Sequence, residues 1–287
     1  MTGTVALVTV SYFSEDDVLS CLASVPAAAA STARSGLELC VVNNAASDPL
    51  SALEGTGATV LTPGANLGYG GAVNFAAATL GPEVEWILVT NPDVQFEPGS
   101  IDELMRVATG DERIGVVGPR VTNDDGTIYP SARDLPSLTS GAGHAVLHRV
   151  WPANPWSKRY LRADKSATTG TDPVAAGWLS GSCMLVRRAA FDAVDGFDHR
   201  FFMYFEDVDL AERLGLAGYS VLYVPTATVM HAGGTSTRSH SAAMLKAHHH
   251  SAYLYLAKRY HEWYYLPVRV ALRVGLGLRS IVGARRA

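Results

Sequence analysis

Short apolar runs alternate with stretches of helical periodicity over most of the chain. Thr4–Val10 and Leu37–Val42 read as strands, the second running into the polar pair Asn43 and Asn44. Thr59–Leu61 is a weaker third strand, Trp86–Thr90 a fourth and Ile114–Gly118 a fifth. Between them, Ser14 to Asp17 opens a helix, Gly70–Leu80 is an alanine-rich helix and Ser100–Ala108 is another. Further on come a strand over Trp178–Val186, a short helix over Arg187–Val194, a polar helix over Glu206–Leu216 and a strand over Ser220–Val224. This alternation predicts an α/β fold with a Rossmann-like, mostly parallel sheet flanked by helices. Ligands of such sheets sit beyond the carboxyl ends of the strands. Polar residues cluster at those ends here: Thr9 to Tyr12, Asn43 to Asp48 and Asn91 to Asp93.

Two regions depart from the alternation. Residues 135–173 are rich in Pro, Trp, Ser and Gly with weak periodicity, and read as a long irregular excursion of the kind that often carries function. After the Gly-rich loop His231–Ser236, two helical stretches at about 240–260 and 265–283 close the chain.

Composition narrows the classes. The 287 residues are 48% hydrophobic and 17% charged, as in a soluble globular protein. A net charge of -4, with no basic patch interleaved with aromatics in the first two thirds, gives no sign of nucleic-acid binding. Cys21, Cys40 and Cys183 are far apart and match no metal-ligand spacing, which points to a reducing compartment without structural zinc. The N-terminus has no basic and apolar signal pattern, and no run reaches the ~18 apolar residues of a spanning helix. The body is acidic but the tail is basic: from residue 258 onward it carries Lys258, Arg259, Arg269, Arg273, Arg279, Arg285 and Arg286 against the single acid Glu262. That asymmetry calls for an anionic partner.

Several residues are candidates for chemistry. Asn91-Pro-Asp93 follows an apolar strand, where a carboxylate can bind Mg²⁺ or Mn²⁺ and through it a diphosphate; the plain alternative is a strand-ending turn. Phe205 to Arg213 packs four acids into one helical window after the apolar run Phe201–Phe205. Asp209 and Arg213 have salt-bridge spacing, whereas Glu206 and Asp207 border an apolar wall, as a general base does. Asn66 to Gly71 leads into a helix as a phosphate cradle does, but lacks the full dinucleotide fingerprint. No phosphate-binding GxxxxGK[ST] loop and no G-x-S-x-G elbow occur. His248, His249 and His250 fan around a helix, which is poor for one metal site and better suits a mostly solvated or tail-packing role.

In series, VALVTVSY, VVNNAASD, NLGYGGAVN, VTNPDV, the run from WLSGSC through FEDVDLAERLGLAGY, and HAGGTST resemble the inverting family-two glycosyltransferases of the GT-A fold over nearly the whole chain. PSARDLPS at 130–137, HAVLHRVWPANPW and WLSGSC look most like the bacterial rhamnosyltransferases of that family, in particular actinobacterial ones that act on polyprenyl-diphosphate N-acetylglucosamine to start the arabinogalactan–peptidoglycan linker. The resemblance implies a catalytic unit over 1–235, with a nucleotide-sugar half (about 1–120) and an acceptor half (about 121–235), and a helical, membrane-associating extension over 236–287.

Residue by residue, it implies that Thr9, Ser11, Tyr12, Asn43, Asn66, Gly68, Tyr69 and Asn91 bind the nucleotide sugar. Asp93 and His231 would hold Mg²⁺ or Mn²⁺, and Asp207 would be the general base. Arg133, Trp178, Ser180, Gly181 and Glu206 would line the acceptor pocket. Asn43 and Asn91 stand where the family usually has Asp. The implied donor is dTDP-L-rhamnose and the implied place is the cytoplasmic face of the membrane, held peripherally. Rival readings are a galactofuranosyl or hexosyl transferase of the same family and a non-catalytic nucleotide-sugar binding module; a dinucleotide oxidoreductase fails on the glycine pattern. Arg269, Arg273 and Arg279 fall within about 120° on a helical wheel, and one basic and one apolar face is the pattern of an interfacial helix; the plain alternative is a helix packed on the catalytic unit with its arginines solvated, and Gly275 and Gly277 weaken it.

Overall fold

The computed structural model describes residues 3–137, 164–233 and 241–284. Most of the irregular excursion, including HAVLHRVWPANPW, lies outside the described residues, as do the end of the Gly-rich loop and Arg285 and Arg286. The strands are β1 (Thr4–Ser11), β2 (Leu37–Asn43), β3 (Thr59–Leu61), β4 (Val84–Thr90), β5 (Val94–Phe96), β6 (Ile114–Thr122), β7 (Ile128–Tyr129), β8 (Ala132–Arg133), β9 (Val174–Ala175), β10 (Trp178–Leu179), β11 (Cys183–Arg187) and β12 (Ser220–His231). The helices are α1 (Glu15–Ala28), α2 (Gly68–Ala77), α3 (Ser100–Ala108), α4 (Arg188–Ala193), α5 (Glu206–Leu216), α6 (Ser241–Arg259) and α7 (Leu266–Ala284).

The main sheet runs β3-β2-β1-β4-β11-β6-β12-β5. Its first four strands are parallel, with β1 between β2 and β4. This half is the expected Rossmann-like part, and the crevice at the carboxyl end of β1 is its switch point. Beyond it the sheet is mixed: β11 enters antiparallel between β4 and β6, and β12 is parallel to β6 but antiparallel to β5. Strand alternation sends Val5, Leu7, Trp86 and Leu88 into one core with α1 and α3. Val8, Val10, Ile87 and Val89 enter the other, under α2, α4 and α5. The result is a three-layer α/β/α domain with a buried sheet.

The run read as one strand over Trp178–Val186 is two. Ser180 donates its N–H to the Ser131 carbonyl (2.7 Å), and β10 leaves to pair with β8, Trp178 opposite Arg133. The strand expected at Ser220–Val224 instead continues to His231, with a register shift between Val224 and Thr228 around Pro225. That extension carries His231 to the site.

The first C-terminal helix, α6, packs on the body of the domain. Tyr255 of α6 shares an apolar cluster with Phe201 and Val208, against which Phe205 and Trp178 also pack. Lys258 pairs with Asp198 (2.9 Å) and Asp209 (2.6 Å), and Arg259 with Glu212 (2.9 Å). These two cations therefore neutralise the domain's own acids, and the basic tail proper begins at Arg269. His248 packs edge-on against Tyr204 and Phe205, as tail packing requires. In α7, Leu266, Val270 and Val274 are more than half exposed, while the Arg273 guanidinium lies over the Tyr253 ring. Among the described residues no helix is long and apolar enough to cross a membrane.

Candidate active site

The site forms where β1, β2 and β4 end and the β10–β11 break meets the head of α5. Asn44, rather than Asn43, ties the strand ends to the glycine loop. Its Oδ1 accepts the Leu67 N–H (2.9 Å), and its amide group donates to Asn66 Oδ1 (2.9 Å) and the Gly68 carbonyl (3.2 Å). Asn43 is engaged in its own turn: it donates to the Asp48 carbonyl (2.6 Å) and accepts from the Ala45 N–H (3.2 Å). The Asn43 amide oxygen keeps a second lone pair beyond that one backbone contact. Thr9 and Ser11 are fully buried beneath the strand ends, while Tyr12 exposes its ring.

Gly68 has φ +72°, and a Cβ there would lie 2.1 Å from the Phe202 carbonyl oxygen. Only glycine allows this approach. It lets the next residue, Tyr69, donate its N–H to that same carbonyl at 3.0 Å. The Tyr69 hydroxyl reaches across to the Gly181 carbonyl (2.6 Å). Burial, reinforced by the acids around it, raises the Tyr69 pKa well above the usual range, so the hydroxyl stays protonated.

Asp207 is fixed by two backbone donors: Gly181 N–H on Oδ2 (2.9 Å) and Val208 N–H on Oδ1 (2.8 Å). Burial raises its pKa, and these hydrogen bonds oppose the rise. Glu206 beside it is buried, has an Oε2 without a hydrogen-bond partner among the described residues, and is pushed up to about 8 by burial and then by the Asp207 charge. Of this coupled pair, the physical assignment is a neutral Glu206 and an ionised Asp207, because only Asp207 has donors aimed at both oxygens. The helix head follows two consecutive left-handed non-glycine residues, Tyr204 (φ 68°) and Phe205 (φ 67°), a strained conformation of the sort found next to functional groups.

The second cluster is Asn91, Asp93 and His231. His231 Nε2 lies 3.1 Å from Asp93 Oδ1 and 3.2 Å from the Asn91 amide nitrogen. The Asn91 N–H donates to the Ser182 carbonyl (2.8 Å), so this cluster and Asp207 hang from opposite ends of the same Gly181–Ser182 turn. If Nε2 accepts from Asn91, it and the Asp93 carboxylate are two lone-pair groups in contact, and a cation between them resolves the clash. A carboxylate and an imidazole suit Mn²⁺ or Mg²⁺, so the donor set fits a divalent ion, though with one carboxylate only. Among the described residues no group of three His, Cys, Asp or Glu converges on one point.

The acceptor-side candidates sit beside this. Trp178 and Arg133 are paired across β8 and β10, and Tyr129 lies within the electrostatic reach of both Asp207 and Arg133. Ser180 holds the turn: its Oγ accepts the Ser182 N–H (3.3 Å). The sequence gives no role to Asn44 or to the Phe202 carbonyl. Asn44 could be found from the paired amides at a strand end; Phe202 acts through a backbone atom and leaves no side-chain signal.

The chain matches the model of glycosyltransferase-like family 2 over residues 3–253. It is 50% identical over 230 residues to the N-acetylglucosaminyl-diphospho-decaprenol L-rhamnosyltransferase of Mycobacterium tuberculosis, covering 77% of this chain and 74% of that one. It is 43% identical over 82 residues to the rhamnosyltransferase WbbL of Escherichia coli K12, covering 29% and 31% of the two chains. Among solved structures, the mannosyltransferase PcManGT of Pyrobaculum calidifontis, in complex with GDP-Man and Mn²⁺, superposes with a TM-score of 0.60 at 16% identity, over 99% of this chain and 73% of that one. GalNAc-T7 with UDP, GalNAc and Mn²⁺ gives 0.58 at 14% identity over 86% of this chain, which spans about half (48%) of that one. The fold, the site at the switch point and the family match agree: this chain belongs to glycosyltransferase family 2 and is a glycosyltransferase of the GT-A fold.

Proposed function

We propose that this enzyme transfers L-rhamnose from dTDP-L-rhamnose to a polyprenyl-diphosphate-linked N-acetylglucosamine, the step that starts the arabinogalactan–peptidoglycan linker. The 50% identity to an enzyme named for that transfer supports the substrate pair. The observation that carries the chemistry is the Asp207 carboxylate, held by Gly181 and Val208 at the lip of the switch point.

Asp207 takes the proton of the acceptor hydroxyl as that oxygen attacks the anomeric carbon. The new C–O bond forms as the bond to the nucleoside diphosphate breaks on the opposite side, so a β-linked donor gives an α-linked product. Neutral Glu206 adds no second charge beside the base. Asp93 and His231 would hold the Mn²⁺ or Mg²⁺, with Asn91 against the imidazole; the ion supplies positive charge to the departing diphosphate. Tyr69 and the Asn66–Gly68 loop shape the donor side, and Arg133, Trp178 and Ser180 the acceptor side.

The membrane surface is the third partner of this reading. Trp263 and Tyr264 at the α6–α7 turn are 81% and 57% exposed, and the exposed valines of α7 continue that apolar strip. No acid follows Glu262, and Arg269, Arg273 and Arg279 are interspersed. Aromatics, aliphatics and arginines in one helix suit peripheral docking on the cytoplasmic face, where a polyprenyl acceptor resides. Asp207→Asn tests the catalytic claim: donor binding is retained and turnover falls by about a hundredfold or more. Near-normal turnover with a raised KM makes Asp207 a binding residue instead.

A further inference from the structure

The segment from Asp198 to Asp209 carries more of the site than its base. Its Phe202 carbonyl anchors Tyr69 of the donor loop, its Tyr204 and Phe205 are held left-handed, and Asp207 follows. Strained residues of this kind persist only where the surroundings over-determine them. The surroundings here are supplied by α6. Ser251 Oγ donates to the Met203 carbonyl (2.7 Å), and the His248 ring packs 5.4 Å from both the Tyr204 and Phe205 rings.

The two ends of the segment are joined by one side chain. Lys258 Nζ lies 2.9 Å from Asp198 Oδ2 and 2.6 Å from Asp209 Oδ1. Each acid has another cation: Arg200 Nε is 2.9 Å from Asp198, and Arg213 Nε is 2.7 Å from Asp209. Losing Lys258 therefore leaves neither carboxylate without a partner. What is lost is the link between them.

We infer that Lys258 is a positioning residue of the transferase: it staples the ends of the Asp198–Asp209 segment and so fixes both the base Asp207 and the Phe202 anchor of the donor loop. The inference rests on Asp207 being the base. It also gives α6 a positioning contact with the site, since Lys258 stands in its last turn.

The test is steady-state kinetics on full-length Lys258→Met with a short-chain soluble acceptor, so that membrane binding does not enter. The expected result is a kcat lowered by about tenfold or more, in line with displacement of a catalytic group, with donor and acceptor KM little changed. Lys258→Arg, which keeps a cation able to span two carboxylates, recovers most of the rate. Arg187→Met is the control for lost stability, because it breaks hydrogen bonds to the Ala108, Asp111 and Ile114 carbonyls, away from the segment and the site; it lowers Tm yet keeps kcat. Wild-type kcat in folded Lys258→Met overturns the inference, as does an equal kcat loss in Arg187→Met. If Lys258→Met does not fold, Asp198→Asn removes one arm near the surface: a lowered kcat supports the staple and an unchanged one overturns it. Asp207→Asn run alongside separates the two claims, since retained turnover there refutes the base itself whatever Lys258 does.

Discussion

Gly181 donates its backbone N–H to Asp207 Oδ2 over 2.9 Å, which ties the break between β10 and β11 to the head of α5. A Cβ on Gly181 would meet the Tyr69 ring at 3.4 Å and Asp207 at 3.6 Å, so this turn is the seam at which donor loop and base touch. The Gly181 bond also divides the labour of two adjacent acids: it favours charge on Asp207, whereas Glu206 has only its own backbone N–H and an Oε2 without a partner among the described residues.

That division predicts a pH signature in stability. Glu206 is raised from an ordinary 4.5 to about 8 in the fold. Between those values the folded chain holds a proton that the unfolded chain has released, so stability falls as pH rises across that window. Glu206→Gln removes this contribution. Thermal melts from pH 5 to 9 are expected to show a shallower decline in the variant than in the parent. Parallel declines would place Glu206 outside the buried, protonated state.

The Asn91–His231 contact predicts how metal dependence responds to mutation. Excess chelator abolishes turnover, and Asp93→Ala costs more activity than Asn91→Ala. Asn91→Asp supplies the second carboxylate and lowers the Mn²⁺ concentration needed for half-maximal activity, since added negative oxygen ligands strengthen hard-cation sites. Turnover at full rate in chelator contradicts the site, and so does an Asn91→Asp variant that needs more Mn²⁺.

Much of this layout is legible in the sequence because its elements are locally determined. The helices at Ser100–Ala108 and Glu206–Leu216 form where periodicity and acidic first turns point. Asp93 and Asp207 stand out because charge after an apolar strand or wall is costly without a use, whereas His231 is pointed to by the family resemblance alone. The antiparallel insertion of β11 is illegible, since an apolar run does not state its neighbour. The split at Ser180–Ser182 is hidden for another reason: the turn is made by tertiary hydrogen bonds that its N–H groups donate to Ser131 and Asp207. Lys258 and Arg259 look like part of a basic tail until the fold brings them to Asp198, Asp209 and Glu212.

The exposed turn at Trp263 and Tyr264 makes the membrane claim testable without disturbing the site. Truncation after Tyr260 leaves α6 and Lys258 in place. The shortened protein is expected to lose sedimentation with anionic liposomes while keeping turnover on a soluble short-chain acceptor. Undiminished co-sedimentation means that the C-terminal helix is not the anchor.

The most direct test of the account is a donor panel. The enzyme, with Mn²⁺ and polyprenyl-diphosphate N-acetylglucosamine, is offered radiolabelled dTDP-L-rhamnose, UDP-galactofuranose or UDP-glucose, and the label reaching the lipid is followed over time. The account predicts fastest transfer from dTDP-L-rhamnose, an α-linked product and dependence on Asp207. Faster transfer from either UDP sugar would contradict it.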